Sequence, residues 1–451
     1  MERQVWREFK DDGLVVLGVS IMDSPERLKD FAEKYELTYP QWRDPGAQAL
    51  GKLTVQGVIP RTVVLDREHR VVLRKLGYTE EKFKGVVAAA RAAVDGTPYT
   101  APVELAQVSG GDAKLDLTYK TTRVETLASE GNVGFFTSVA LDAAGRPAVA
   151  CKDYTRGALL VSRWTGSQWQ HDVVDNDNAG WTPSIAYDPT GGLGVSYGCG
   201  MGEFDMRFAR FNGKGWAIEI CDKEGNPFKA TSLAFGPGGD PLISYFAKDN
   251  QDLRLAKWID AEWRWSVETV DAEGDVGTYS SLALDKNGSP MISYYDEGLQ
   301  VLKFARWNGG QWVTEVVDSQ GQVGLHCSLG LDPAGRAVIT YFDLTNEDLK
   351  IARWSETGWE VDVVDQQGTV GQRCSLQFDS KGRPAISYFG NGTLKFAWWN
   401  GAEWEILTVD DSGLTGNYTS LALDPNDNAR ISYFDVSNAD LKFAWVDRAA
   451  E

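Results

Sequence analysis

A repeated alternation of apolar and polar residues governs the chain from about residue 139 to its C-terminus. The copy at residues 281–318 reads SLALDKNGSPMISYYDEGLQVLKFARWNGGQWVTEVVD. Its L-x-[LF]-D-x-x-G start recurs with drift, with the Asp at 142, 188, 285, 332, 379 and 424 and Gly236 in its place in the third copy. The steps are 46, 48, 49, 47, 47 and 45 residues, and a period near 47 indicates a repeat architecture.

Each copy predicts four short strands. In the same copy these are strand A at 281–284, strand B at 290–295, strand C at 302–307 and strand D at 312–317, with a tight turn at Gly288 between A and B. Leu282 and Leu284 face one way in strand A, whereas Ser281 and Ala283 face the other. A sheet with large residues on one face and small ones on the other packs against copies of itself, as propeller blades do.

The ends of the repeat array predict how the ring closes. The last copy, 421–446, stops before its strand D, while residues 122–127 match strand D and residues 130–134 match the loop that follows it. A blade shared between the two ends brings the number of blades to seven. The prediction is therefore a mainly β protein with a seven-bladed β-propeller, whose closure removes exposed sheet edges.

The first hundred residues carry a different pattern, typical of a small α/β domain. A buried strand is predicted at 14–20, and a hairpin at 61–65 and 70–76. Helices are predicted at 24–35, where Ser24 caps and Pro25 follows, and at 47–52 and 79–94. The resulting division is a domain at 1–98, a linker at 99–117 and the propeller at 118–451.

Two stretches of this segment, LVVLGVSIMDSPERLKDFAEKYELTYPQWRDP and GVIPRTVVLDREHRVV, carry a resemblance. They are similar to thioredoxin-like domains of the TlpA/redoxin type, which are related to peroxiredoxins, over roughly residues 3–94. The resemblance implies thiol–disulfide or peroxide-reducing chemistry and an extracytoplasmic or secreted location. It also implies that Pro60, after Ile59, is a structural cis-proline beside the active site.

The segment departs from that family at the chemistry itself. The family's W-C-x-x-C, or its peroxidatic T-x-x-C, would lie just before Arg3, and residues 1–98 contain no cysteine. Thiol chemistry needs a thiolate, so this chain is expected not to carry out the family's redox reaction. Two explanations stay open, namely a longer native chain that holds the cysteines and a degenerate domain kept for packing.

Charge and composition narrow the range of partners. The net charge is −19, and residues 1–98 carry 16 basic and 15 acidic side chains, so the remaining 29 basic and 49 acidic side chains make the propeller the acidic part. An acidic surface argues against nucleic acid and permits cations or basic partners. No run of 18 apolar residues predicts a membrane span.

Cysteine and histidine usage limits the chemistry of the propeller. All five cysteines lie there without a C-x-x-C, and Cys327 and Cys374 occupy equivalent positions before strand A, where other copies have small residues. We interpret them as small buried thiols. His69, His171 and His326 are the three histidines of the chain, which excludes a site built from several histidines around zinc or iron.

The candidate ligand site is the funnel that propellers form from their D–A and B–C loops, by analogy of fold. The D–A positions include the side chains Phe136, Tyr279, His326, Arg373 and Tyr418, which predict a pocket for a small polar or sugar-like ligand. The B–C loops carry Asp153, Asp296, Asp343 and Asp435. These carboxylates are interpreted as turn caps, with a calcium ion as the alternative. No catalytic residue, metal ligand or resident cofactor is otherwise predicted.

Three functions remain in view. The first is a non-catalytic binding or scaffold protein whose funnel recognises a protein or a small polar or carbohydrate ligand. The second is a thiol–disulfide oxidoreductase or peroxide-reducing redoxin whose cysteines lie outside this chain. The third is a hydrolase or lyase that uses His326 and Arg373. Paired tryptophans such as Trp307 and Trp312 at the C–D hairpins indicate outer-blade packing, with carbohydrate stacking as the alternative.

Overall fold

The computed structural model of the protein describes residues 18–20, 41–43, 61–65, 71–76 and 118–448, without the side chains of 228 and 229. In the N-terminal segment, β1 (Gly18–Ser20) pairs in parallel with β2 (Gln41–Arg43), and β3 (Arg61–Leu65) forms an antiparallel hairpin with β4 (Val71–Leu76). The hairpin was expected from the sequence, whereas β2 was not. The predicted helices, the linker, His69 and Pro60 lie outside the described residues.

Residues 118–448 form seven four-stranded antiparallel sheets with their strands in the order A-B-C-D. Blades 1 to 3 consist of β6 (Val133–Leu141), β7 (Pro147–Asp153), β8 (Ala158–Trp164) and β9 (Trp169–Asp175); β10 (Ala179–Tyr187), β11 (Leu193–Met201), β12 (Glu203–Phe211) and β13 (Trp216–Asp222); and β14 (Pro227–Phe235), β15 (Pro241–Ala247), β16 (Asp252–Ile259) and β17 (Arg264–Asp271). A short 3-10 helix, Asp260–Glu262, joins β16 to β17.

Blades 4 to 6 repeat the same plan. They consist of β18 (Val276–Leu284), β19 (Pro290–Asp296), β20 (Val301–Trp307) and β21 (Trp312–Asp318); β22 (Val323–Leu331), β23 (Ala337–Asp343), β24 (Asp348–Ser355) and β25 (Gly358–Asp365); and β26 (Val370–Phe378), β27 (Pro384–Gly390), β28 (Thr393–Trp399) and β29 (Trp404–Asp410). Strand A of blade 4 begins at Val276 and is longer than the predicted 281–284, because it continues through a bulge toward the preceding blade.

Blade 7 joins the two ends of the propeller. It consists of β30 (Asn417–Leu423), β31 (Ala429–Asp435), β32 (Asp440–Arg448) and, as its outer strand, β5 (Tyr119–Ala128). The A strands of successive blades contact one another, and β30 contacts β6, so the ring is closed. The prediction of seven blades with a shared last blade is confirmed.

A ring of serine hydroxyls ties the A strands together. In each blade one strand-A serine accepts a hydrogen bond from a backbone N–H of the next blade's strand A, at 2.9–3.1 Å. The seven serines are Ser138, Ser184, Ser232, Ser281, Ser328, Ser375 and Ser420. A small hydroxyl residue at this position satisfies an N–H that would otherwise be buried without a partner. The ring therefore fixes the inner wall of the propeller.

A buried polar latch joins six of the seven blade pairs. The aspartate that ends strand D accepts a hydrogen bond, at 2.6–2.8 Å, from a tyrosine hydroxyl in strand B of the next blade. The pairs are Asp175–Tyr197, Asp222–Tyr245, Asp271–Tyr294, Asp318–Tyr341, Asp365–Tyr388 and Asp410–Tyr433. The other carboxylate oxygen accepts a backbone N–H two residues on, as between Asp271 and Glu273, which is the Asx-type turn expected from the sequence.

A cation completes each latch. An arginine or lysine of strand C in the next blade lies 2.6–3.6 Å from the same aspartate. These cations are Arg207, Arg254, Lys303, Lys350, Lys395 and Lys442. Removing one member of such a buried trio leaves the other two without their partner in a low-dielectric interior.

The seventh blade pair, between blades 7 and 1, lacks all three latch members together. The aligned positions hold Ala128, Cys151 and Leu160, and these side chains pack in one apolar cluster. At this one blade pair an apolar contact thus takes the place of the polar latch. The concerted replacement fits the physical rule that one orphaned buried polar group costs more than none.

Because of the latches, the stability of the fold is expected to depend on pH in the acid range. Burial alone would raise the pKa of Asp410, but hydrogen bonds from Tyr433 and Ser412 and the neighbouring Lys442 outweigh it and hold the pKa at about 2, below the ordinary 3.8. Because the folded pKa is depressed, the stabilisation is complete above pH 3.8 and is lost as the pH falls toward 2. We expect Asp410→Asn to lower the free energy of unfolding by about 2 kcal/mol at neutral pH. In urea titrations the difference from the unmodified protein should vanish near pH 2; a difference independent of pH would contradict it.

Candidate functional site

Seven residues, one in the A strand of each blade, have left-handed backbone conformation, with φ between 44° and 65°. They are Phe136, Thr182, Ala230, Tyr279, His326, Arg373 and Tyr418, and we call them the axial ring. Non-glycine residues rarely adopt this conformation, and a β-branched threonine does so at a cost. The same strain at seven equivalent positions means that the fold imposes it.

A bulge in strand A produces this conformation. In blade 5 the pairing with strand B shifts register between Leu325 and Ser328, on either side of His326. Two residues earlier, Gly324 approaches the neighbouring blade so closely that a Cβ there would lie 2.7 Å from the Cα of Leu302. The glycine allows the close approach. The bulge takes His326, two residues later, out of the hydrogen-bonded pairing with strand B.

In four blades the residue after the ring member donates a hydrogen bond to the carbonyl of the ring member in the preceding blade. Thr137 and Thr231 donate to the carbonyls of Tyr418 and Thr182 at 2.6 and 2.8 Å. The thiols of Cys327 and Cys374 donate to the carbonyls of Tyr279 and His326 at 3.0 and 3.1 Å. These bonds hold the ring backbone in place, and the ring side chains are only partly buried.

The ring side chains form an uneven surface. The rings of Phe136 and Tyr418 lie 4.5 Å apart, the guanidinium of Arg373 lies 4.5 Å from the Tyr418 ring, and Tyr279 packs edge-on to His326 at 4.5 Å. Thr182 and Ala230 are the two small members of the ring. A cavity of about 170 Å³ is lined by Ala230, Tyr279, Ser280, His326, Cys327, Arg373 and Cys374. The five ring residues predicted from the sequence are thus brought together.

Two groups in this cavity have no hydrogen-bond or ion-pair partner within residues 118–448. Nδ1 of His326 is buried and has no hydrogen-bond partner among the described residues. The guanidinium of Arg373 contacts the Tyr418 ring, but none of residues 118–448 forms an ion pair or hydrogen bond with it. Burial, and then the nearby Arg373, lower the pKa of His326 well below its ordinary value, so the imidazole is neutral.

The four predicted B–C aspartates are not part of this surface. Asp153 pairs with Arg156 at 3.1 Å, Asp296 accepts the N–H of Leu299, Asp343 pairs with Lys350 at 2.8 Å, and Asp435 accepts the N–H of Ser437. All four side chains are at most 1% exposed. Within residues 118–448, no group of three or more His, Cys, Asp or Glu is arranged to hold a metal ion.

The five cysteines are free and buried, as the sequence indicated for Cys327 and Cys374. Burial raises the pKa of Cys199, Cys327 and Cys374 to about 12, and it also raises the pKa of Cys151 and Cys221. Thiolates are the reactive species, so we expect no thiol of the folded propeller to react with Ellman's reagent at pH 8 within minutes. All five should react in concentrated guanidinium chloride. Rapid labelling of a native thiol would show that this part of the chain opens locally.

Comparison with known proteins identifies relatives of the N-terminal segment. Residues 2–74 match the model of the AhpC/TSA family. The chain is 24% identical over 83 residues to the thiol-disulfide oxidoreductase ResA of Bacillus cereus (strain ZK / E33L), which covers 18% of this chain and 47% of that relative. The chain therefore spans about half the length of this curated relative. Its N-terminal segment is redoxin-like, and a seven-bladed propeller follows.

Solved structures resemble the propeller. An ulvan lyase described as a new family of polysaccharide lyase, solved with bound GlcA(1-4)Rha3S, has a TM-score of 0.50 and 14% identity, covering 72% of this chain and 98% of that one. A variant of the Aleuria aurantia lectin in complex with Fucalpha1-6GlcNAc has a TM-score of 0.45 and 13% identity, covering 62% and 96%. The lyase likeness shows the propeller fold. No helix among the described residues is long and apolar enough to cross a membrane.

Proposed function

We propose that the propeller is a binding module which holds a small, hydroxylated anion at the axial ring. The observation that carries the proposal is the pair of unpartnered groups in the axial cavity, the Arg373 guanidinium and Nδ1 of His326. A buried or half-buried polar group without a partner is costly, and a ligand that satisfies it gains that free energy.

The chemistry of the cavity defines the ligand class. A guanidinium offers a planar fork of N–H donors that suits a carboxylate, sulfate or phosphate group. A neutral imidazole offers one ring nitrogen as donor or acceptor to a hydroxyl. Tyr279, Tyr418 and Phe136 provide ring edges and faces for the carbon skeleton. A hydroxy acid or a sugar acid combines all three features.

The charge of the propeller makes Arg373 unusual. The propeller carries an excess of acidic side chains, and most of its buried or half-buried cations are paired with a carboxylate. An unpaired guanidinium in such surroundings sets up a local positive site without long-range attraction for polyanions. This favours a small anion over a nucleic acid.

The experiment is a calorimetric titration of the full chain with matched pairs of acids and neutral analogues. Suitable pairs are glucuronate with glucose, galacturonate with galactose, and glycerate with glycerol. We expect at least one acid to bind with a Kd below about 1 mM and its neutral analogue to bind at least about tenfold more weakly. Equal affinity for acid and neutral analogue, or no binding by any acid, would reject the proposal.

A second candidate rests on the match of residues 2–74 to the AhpC/TSA family. In it the protein is a thiol–disulfide or peroxide reductase, with the propeller as its docking part. Residues 1–98 contain no cysteine, so the reacting thiol would have to come from outside this range. Intact mass and N-terminal sequencing of the native product test it. A native product with a C-x-x-C ahead of this sequence would favour the reductase, and a product that begins at Met1 would remove it.

A further inference from the structure

The aromatic side of the axial ring continues outward into a larger aromatic surface. The ring of Phe136 lies 4.5 Å from that of Tyr418 and 6.2 Å from that of Trp181. The ring of Tyr154 lies 4.6 Å from that of Phe135 and 5.3 Å from that of Trp181. We call these side chains the aromatic patch. Tyr154 is 41% exposed and the others are half-buried, so the patch is open to solvent beside the axial ring.

The patch is confined to one part of the ring. In blades 1 and 2 the residue before the ring member is aromatic, namely Phe135 and Trp181. In blades 4 to 7 the equivalent residues are not aromatic; they are Thr278, Leu325, Gln372 and Asn417. The repeat itself therefore does not require an aromatic residue at this position. Because the guanidinium of Arg373 lies 4.5 Å from the Tyr418 ring, a ligand held by that guanidinium can extend over the patch.

A buried cation lies beneath the patch. Nζ of Lys152 donates to the carbonyl of Ala179 at 2.9 Å and lies 4.4 Å from the centre of the Trp181 ring. Lys152 is 1% exposed and forms no ion pair with any of residues 118–448. Burial lowers the pKa of Lys152 to about 8, so the ammonium form still predominates at pH 7.

The patch and its cation favour an aromatic ligand group over a sugar. Phe135 and Phe136 carry no hydrogen-bonding group in their side chains, so sugar hydroxyls placed there would lose water without gaining a partner. An ammonium against the buried face of Trp181 draws π-electron density toward itself. The outer face of the indole then attracts the C–H groups of a sugar less and an electron-rich aromatic ring more.

We propose that the axial ligand is a 2-hydroxy acid with an aromatic side chain, whose carboxylate lies on Arg373 and whose aromatic ring lies on the aromatic patch. This inference rests on the proposed function and narrows it to one class of acid. The hydroxyl beside the carboxylate matches Nδ1 of His326, since His326 and Arg373 line the same cavity. A short spacer carries the ligand's ring from Arg373 past Tyr418 to Phe136.

The test is calorimetric titration of the full chain with lactate, phenyllactate and cyclohexyllactate. We expect phenyllactate to bind at least about tenfold more tightly than lactate, and more tightly than its cyclohexyl analogue. Phe136→Ala should reduce the gain of phenyllactate over lactate to about threefold or less, because the ligand's ring loses the side chain on which it packs. Blade 3 carries Ala230 at the equivalent ring position, so the fold accepts alanine there.

Trp263→Ala is the control for this series. Trp263 is 79% exposed in the connection between β16 and β17 of blade 3, so its replacement removes a large exposed aromatic side chain away from the patch. It should leave the gain of phenyllactate over lactate within about twofold of that in the unmodified protein. An equal fall of this gain in Trp263→Ala and Phe136→Ala would overturn the inference.

Four further outcomes would also overturn it. These are a gain of phenyllactate over lactate below about tenfold, a gain that survives Phe136→Ala, equal affinity for phenyllactate and cyclohexyllactate, and lactobionate gaining as much over gluconate as phenyllactate gains over lactate. The last outcome would assign the patch to a sugar. Equal binding of lactate and phenyllactate would leave the proposed function standing, whereas no binding by any of these acids or those of the first panel would remove both.

Discussion

Replacing Asp271 with alanine is expected to lower the free energy of unfolding by about 3–5 kcal/mol. Asp271 accepts from the Tyr294 hydroxyl at 2.6 Å and from the Lys303 ammonium at 2.6 Å, and all three side chains are less than 10% exposed. The substitution leaves the Tyr294 hydroxyl buried between blades 3 and 4 without its acceptor. It leaves the Lys303 ammonium with the more distant Asp296 carboxylate, at 3.6 Å. Equilibrium urea unfolding, followed by tryptophan fluorescence, measures the loss.

The triple variant Asp271→Ala, Tyr294→Phe, Lys303→Leu is the control for this prediction. It removes every polar member of the latch, as the chain itself does between blades 7 and 1 with Ala128 and its neighbours. We expect the triple variant to be at least about 2 kcal/mol more stable than Asp271→Ala alone, because the hydroxyl and the ammonium that lose the Asp271 acceptor are no longer present. The buried Asp296 loses only its contact of 3.6 Å with Lys303. A triple variant that is less stable than the single variant would mean that the latch contributes mainly by packing.

Replacing Arg373 with glutamine is expected to weaken binding of the best-bound acid about 100-fold, which corresponds to ~2.7 kcal/mol. The charge-assisted fork to the anion is lost, while glutamine keeps much of the length of the side chain. Arg373→Lys should lose about tenfold, because an ammonium keeps the charge without the planar fork. Calorimetric titration with the same acid measures both.

Arg336→Gln is the matched control for that series. Arg336 pairs with Asp332 at the exposed turn between strands A and B of blade 5, so its removal changes the net charge equally without touching the axial ring. Affinity should stay within about twofold of the unmodified protein. An equal loss in Arg336→Gln and Arg373→Gln would indicate that overall charge, and not the axial cavity, governs binding.

The fold of the propeller could be predicted because its information is periodic. The recurring Asp and Gly of the A–B turns set the blade length, and the match of residues 122–127 to strand D revealed the shared blade, which the structure shows as β5. Alternation within each strand identified which residues face neighbouring blades. These signals repeat seven times, so drift in one copy, such as Gly236, does not obscure them.

The latch could be seen in the sequence only as a recurring aspartate. Its turn-capping role is local and was predicted, but its second partner, such as Tyr341 for Asp318, lies 23 residues away in the next blade. A single sequence shows that both residues recur in each repeat, but it does not show that they are in contact. The joint loss of the aspartate, tyrosine and cation at Ala128, Cys151 and Leu160 is the signal that would have linked them.

The axial ring was predicted as a set of residues but not as a conformation. Tyr279 and its equivalents were assigned to loops before strand A, whereas they lie inside longer strands at a bulge. The glycine two positions earlier, such as Gly277, was the available signal, since a strand that meets neighbouring backbone at Leu253 needs a residue without a Cβ. Whether the Arg373 guanidinium has a hydrogen-bond or ion-pair partner depends on side chains from neighbouring blades. It could therefore be seen only in the three-dimensional structure.

A crystal structure of the full chain soaked with the acid that binds best in the calorimetric panel tests the central proposal most directly. The account predicts that the acid group lies on the Arg373 guanidinium, with a hydroxyl within hydrogen-bond distance of Nδ1 of His326. An acid bound elsewhere on the propeller, with the Arg373 guanidinium still unpaired at the saturating concentration, would contradict it.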